Sequence, residues 1–252
     1  MQFSYPDDSH PLADAAHVLV IAPKAHFGPR ARDAAALPKW LGKAAGELAH
    51  HLGAEATPGL LGGLSTSRTA DQRRLTVAAL ADKVSRHGCP ARAEAIRKVT
   101  AAAGLSPTGA NAVLLVLDDV AHVPAAVNAL GRALPTFAQK SATKSGGSLA
   151  IACVLGNGTL VPIDEATQDL VTTARAMAHL VDTPPTELDP EAFAAAAKRL
   201  CKPLRSVKVR EIAGEALLRS KLGGIHAVGR CARSAPRLLI ATTGGRRGGP
   251  HV

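Results

Sequence analysis

Four short apolar runs constrain the fold of this chain more than any other feature: AHVLVIA at residues 16–22, LTVAAL at 75–80, AVLLVL at 112–117 and LAIACVL at 149–155. Each has the length and composition of a buried strand. Helical stretches lie between them at residues 39–52, 91–103 and 120–134, the second ending at Gly104. Residues 53–69 are rich in Gly, Ser and Thr and read as a loop. Gly156-Asn157-Gly158 separates the run at 149–155 from an apolar segment at 159–163. That is a hairpin signal, because Gly and Asn tolerate positive φ. Alternating strand and helix, then a hairpin, predict an α/β sandwich around a mixed sheet. Aromatic residues are only 2% of the chain, so the core must be aliphatic. That scarcity argues against modules that stack bases on aromatic platforms.

A different pattern begins at Asp164. It is placed to cap a long helix from Glu165 to Leu180, which Pro184 and Pro185 stop. Asp189-Pro190-Glu191 then supplies an N-cap, a proline at the first helical position and a first-turn acid for a helix reaching about Cys201. Residues 206–212 alternate apolar and basic side chains and read as a strand. Residues 215–221 read as a short helix ended by Gly223-Gly224, and residues 238–242 as a buried strand. The predicted organisation is a domain at 1–163, a connector helix and turn at 164–185, and a second, incomplete α/β domain at 186–252. Its last strand runs almost directly into the low-complexity tail GGRRGGPHV.

The formal charge of +10 is uneven. From residue 195 onward there are 13 Lys/Arg and two acids, Glu211 and Glu215, whereas the first 194 residues hold 17 Lys/Arg and 18 acids. All the excess positive charge therefore lies in the last quarter. It is interleaved with Val207, Val209, Leu217 and Leu222, so a structural role is the first reading and weak, non-specific nucleic-acid binding the second. No apolar run is long enough to span a membrane. MQFSYPDDSH at the N-terminus has no basic n-region and no apolar h-region, so it is not a secretory signal. Cys89, Cys153, Cys201 and Cys231 form no C-x-x-C pair. They read as reduced, mostly buried thiols of a cytoplasmic protein.

Catalytic signatures of the G-x-S-x-G, H-E-x-x-H, Walker A and G-x-G-x-x-G kinds do not occur. Glu47 with His50-His51 suggests a metal site, but a solvated helix end is the simpler reading. Asp118-Asp119 follows the run AVLLVL, where α/β proteins keep functional carboxylates; a helix cap by Asp119 accounts for it more simply. His226 reads as a satisfied core histidine. Lys140 to Lys144, with Ser141 and Thr143, reads as a loop before the hairpin and not as a phosphate cradle. No catalytic, cofactor-binding or metal-binding residue is assigned.

Residues 174–240 resemble the leucyl (cytosol) aminopeptidase family. The resemblance is carried by Val181-Asp182-Thr183-Pro184, by Asp189-Pro190 with Phe193, and by Gly223-Gly224 with Val228-Gly229, Pro236 and Leu238. Residues 75–90 and 124–142 are similar to the probable aminopeptidase-like 1 branch, with which Asp182 agrees where the commoner residue is Asn. The resemblance implies a macro-like N-terminal domain joined by a helix to a metallopeptidase domain. Such a domain would bind two divalent cations, manganese or zinc, and release N-terminal residues from peptides, with a hexameric assembly. The family's motifs V-G-K-G-x-x-x-D-T-G-G, D-M/C-G-G-A-A and N-T-D-A-E-G-R are absent from this chain. The expectation is therefore an N-terminal half, inactive as given. The other readings are a non-catalytic binding module for nucleic acid or a partner protein, and a truncated fragment.

Overall fold

Successive side chains of a strand point to opposite faces, so a strand covered on both sides must be largely apolar, and any polar side chain in it must be hydrogen-bonded. The strand His17–Pro23 (β2) is buried throughout. Val18, Val20 and Ala22 enter one core, and Leu19 and Ile21 the other. The computed structural model, which describes residues 1–28, 31, 36–58, 62–139 and 146–244, divides into two units, Met1–His179 and Leu180–Val252.

The first unit is built on a mixed sheet. Its strands are Gln2–Ser4 (β1), β2, Gly63–Arg68 (β3), Arg74–Leu80 (β4), Ala110–Leu117 (β5), Ser148–Leu155 (β6) and Leu160–Val161 (β7). The order is β1-β6-β5-β2-β4-β3, with β7 also on β6. β1, β6, β5, β2 and β4 are parallel neighbours; β3 and β7 pair antiparallel. One face is covered by His10–Asp14 (α1), Ala36–Leu41 (α2) and Lys43–Glu55 (α3), which bring in Leu12, Leu37, Trp40 and Ala49. The other face is covered by Ala93–Ala102 (α4) and Val123–Ala133 (α5), through Ile96, Val99, Val127 and Leu130. Val171 of the helix Glu165–Asp182 (α6) joins them. Each fully buried Leu or Ile contributes about 1.5–3 kcal/mol relative to exposure.

The α/β class and the mixed sheet are as the sequence predicts. The loop read at residues 53–69 is not: it contains β3. This edge strand carries Ser and Thr, with every second residue exposed, so it lacks the apolar signal of an inner strand. The helix read over 39–52 is two helices, broken at Gly42, whose φ of 81° is left-handed. Asp119 accepts the amide of Ala121 at 2.9 Å, as a cap should, opening a 3-10 turn ahead of α5. The Gly156–Gly158 turn does close a hairpin, β6 with β7. Lys140 to Lys144 lie outside the described residues.

The second unit holds Pro190–Cys201 (α7), Val207–Ala213 (β8), Ala216–Arg219 (α8), Gly223–Gly229 (α9) and Arg237–Thr243 (β9). Asp189 caps α7 by accepting the amide of Ala192 at 2.8 Å. β8 and β9 form an antiparallel pair. Gly223-Gly224 open α9 and do not end the preceding helix. That helix stops at Ser220, where the chain turns through Lys221 at φ 58°. β9 is not a buried strand, because β8 is its one strand neighbour among the described residues and its last four residues are exposed. Buried apolar side chains in this unit are Ala194, Ala196, Ile212 and Leu217, among the described residues.

Candidate functional site

In an open α/β sheet, ligands bind outside the carboxyl ends of the strands, where connections leave to opposite faces. Here the helices after β2 lie on one face and the helix after β4 on the other. The crevice beside β2 is therefore the place to look. His26 follows β2, Asp82 and Arg92 follow β4, and Asp118 follows β5.

An ionic plug fills this crevice. Arg92 adopts a left-handed backbone, φ 54°, at the start of α4. Its guanidinium donates to Asp118 Oδ2 at 2.8 Å, to the Ala81 carbonyl at 2.7 Å and to the Asp82 carbonyl at 2.8 Å. His26 Nε2 lies 3.4 Å from Asp118 Oδ1, and Asp82 Oδ1 accepts the amide of Ala25 at 2.7 Å. Burial pushes the Asp118 carboxyl up, but the Arg92 hydrogen bond and charge, with a smaller contribution from His26, hold it below its usual range. The cavity left between Ile21, Leu80, Leu117, Arg92 and His122 is about 10 Å³, room for about one water. The arrangement ties the ends of three strands together. Among the described residues it offers no space for a nucleotide and places no nucleophile beside a base.

In the second unit Glu211 of β8 accepts from Lys198 of α7 and, at 2.7 Å, from Arg237 of β9. Arg237 also donates to Glu191 at 2.9 Å. Lys198 and Arg237 hold the Glu211 carboxyl below its usual range. Glu215 lies 3.2 Å from His226 Nε2. His226 is thus satisfied by a carboxylate on a partly exposed helix and not by a core. A cleft of about 750 Å³ runs between Pro185, Leu188, Asp189 and Glu191 on one side and Arg233 and Ser234 on the other.

His50 and His51 sit within α3, a turn short of its end at Glu55, and not at a helix terminus. Of the cysteines only Cys153 is fully buried, and burial pushes its thiol up to about 12; Cys89 and Cys231 are exposed. No group of three or more His, Cys, Asp or Glu is placed to hold a metal ion among the described residues. Sequence reasoning noticed Asp118 but missed Arg92. A left-handed arginine in the stretch RHGCPAR carries no pattern of its own.

Comparison with known proteins gives this scaffold its context. Residues 50–143 match the M17 aminopeptidase N-terminal domain 2, and residues 175–249 match the catalytic domain of the cytosol aminopeptidase family. The chain belongs to the M17, or cytosol, aminopeptidase family. A "Probable cytosol aminopeptidase" of Streptomyces coelicolor is 32% identical over 168 residues, 58% of this chain and 32% of the relative. "Probable aminopeptidase NPEPL1" of Mus musculus is 30% identical over 172 residues, 66% of this chain and 32% of the relative. The fold is that of the leucyl aminopeptidase from Leishmania major. The TM-score is 0.74 at 23% identity, covering 94% of this chain and 46% of that one. The M17 aminopeptidase from Trypanosoma brucei gives 0.72 at 20% identity, covering 95% and 48%. The chain matches about a third of the length of its curated relatives. Among the described residues, no helix is long and apolar enough to cross a membrane.

Proposed function

We propose that this chain forms the N-terminal portion of a cytoplasmic, metal-dependent aminopeptidase that releases N-terminal residues from peptides, and that residues 1–252 do not hydrolyse peptides unaided. On this reading residues 1–163 are a macro-like domain, 164–185 the connector and 186–252 the first part of the catalytic domain. The match of residues 175–249 to the catalytic domain supports the assignment, and the relatives' names support peptides as substrates and the cytoplasm as location.

The observation that carries the second half of the proposal is what four carboxylates of the second unit do. Asp189 caps a helix, Glu191 and Glu211 pair with Arg237 and Lys198, and Glu215 pairs with His226. A pair of manganese or zinc ions, as the family implies, needs several converging carboxylates. These residues do not fit that requirement, and no catalytic or metal-binding role is assigned to them. The test joins this chain to the C-terminal remainder of the Streptomyces coelicolor relative. With manganese and a chromogenic leucyl anilide, the fusion should turn over and residues 1–252 alone should not. A folded but inactive fusion would count against the peptidase reading. Turnover co-eluting with the chain alone would count against its predicted inactivity.

A second reading rests on Lys202, Arg205, Lys208 and Arg210, which are all exposed. No acid lies between residues 192 and 210. This surface supports weak, sequence-independent binding of nucleic acid. Anisotropy of a labelled oligonucleotide should fall steeply with salt as counterion release demands; salt-insensitive binding would contradict it.

A further inference from the structure

Asn157 and Gly158 stand together in the β6–β7 turn, and the fold uses the particular chemistry of both. Gly158 is buried and left-handed, φ 76°, and a Cβ on it would lie 3.1 Å from the Ala36 Cα. Its carbonyl accepts from Trp40 Nε1 at 2.9 Å and from Lys39 Nζ at 3.3 Å. Asn157 is exposed, and its Oδ1 accepts the Thr159 amide at 2.9 Å, the Asx turn that asparagine favours. The other asparagines, Asn111 and Asn128, each precede alanine.

An asparagine followed by glycine is open to cyclisation, because no side chain on the second residue obstructs attack by its nitrogen. The Gly158 nitrogen adds to Asn157 Cγ. A C–N bond forms, the Cγ–Nδ2 bond breaks, and the Gly158 amide proton leaves with Nδ2 as ammonia. Water then opens the succinimide at either carbonyl, giving aspartate or isoaspartate. The turn acts on the two reacting groups in opposite senses. The Thr159 amide on Oδ1 stabilises the negative charge that builds there during attack. The nucleophile is withheld, since the Gly158 N–H donates to the Leu155 carbonyl at 2.8 Å. Trp40 and Lys39 hold Gly158 in that place through its carbonyl.

We propose that Asn157 is a site of spontaneous deamidation, that opening of the β6–β7 turn gates the reaction, and that the product loosens the hairpin. Water is the co-reactant. Opening frees the Gly158 nitrogen, so the rate follows the population of the open turn. Isoaspartate lengthens the backbone by one methylene just before Gly158, where the Trp40 bond fixes the carbonyl position. Both products add a negative charge to the turn. This inference stands apart from the aminopeptidase reading.

Incubation of the full chain in mildly alkaline buffer made with oxygen-18 water tests it, read by peptide mapping and by enzymatic methylation of isoaspartate. Label should enter at Asn157 ahead of Asn111 and Asn128, and more slowly in the folded protein than in urea. Trp40→Phe, confirmed as folded by circular dichroism, lacks the buried donor to Gly158. It should take up label about five- to thirtyfold faster in native buffer, the effect of one buried hydrogen bond on an opening equilibrium. Lys39→Met, at an exposed position, should show a smaller increase. In urea all three proteins should react at one rate. The modified species, resolved by ion exchange, should melt below the unmodified one. The proposal is overturned if the folded wild type takes up no label at Asn157, if it reacts as fast folded as in urea, if neither variant is faster than the wild type in native buffer, or if the modified species melts like the unmodified one.

Discussion

The indole N–H of Trp40 donates to the carbonyl of Gly158 at 2.9 Å. This bond ties α2 to the β6–β7 hairpin across 118 residues of sequence. Trp40 is the chain's one tryptophan and is 6% exposed, within the core on that face of the sheet.

Trp40→Phe should therefore cost about 1–2 kcal/mol, because the ring is kept but a buried carbonyl loses its main donor. Trp40→Ala should cost about 3–5 kcal/mol. Denaturant titration followed by circular dichroism measures both. In the wild type, tryptophan emission should shift to the red in the same transition.

The ionic plug makes a sharper prediction. The Arg92 side chain is 9% exposed, against 39% for Asp118. Arg92→Met should cost about 2–3 kcal/mol, leaving the Ala81 and Asp82 carbonyls without this donor and Asp118 with His26 alone. Asp118→Asn, at the more exposed end, should cost about 1 kcal/mol. Equal losses from the two variants in chemical denaturation would refute the asymmetry.

How legible this was in the sequence depends on where each residue sits. β2, β4, β5 and β6 announced themselves because strands buried on both faces are largely apolar, with few polar positions such as His17, Thr76 and Asn111. β3 hid because an edge strand of Ser and Thr looks like a loop, and β1 because three residues make no pattern. α9 hid behind two glycines that read as a stop. The Asp119 and Asp189 caps were readable because a cap is local in sequence. The Arg92–Asp118 pair was not, since it joins residues 26 apart through a backbone turn that leaves no compositional trace.

A pH dependence follows from His17. Its Nε2 lies 2.8 Å from Thr76 Oγ1, which is in turn 3.0 Å from Thr66 Oγ1. Burial, with the nearby Arg74 guanidinium, pushes the imidazole from 6.5 down to about 4. The unfolded chain therefore binds this proton more readily than the folded one. The stabilising contribution of neutral His17 is complete above about pH 6.5 and is lost as the pH falls towards 4. The melting temperature should decline across that window, and His17→Gln should flatten the decline. Parallel declines in the two proteins would remove His17 as the cause.

The central claim is that Asp189, Glu191, Glu211 and Glu215 are engaged in a helix cap and ion pairs and do not assemble a two-cation hydrolytic centre. Calorimetric titration of residues 1–252 with manganese tests it most directly, because this hard cation favours carboxylates over adventitious thiol sites. The account predicts heats indistinguishable from dilution. Two tight equivalents of manganese per chain would contradict it.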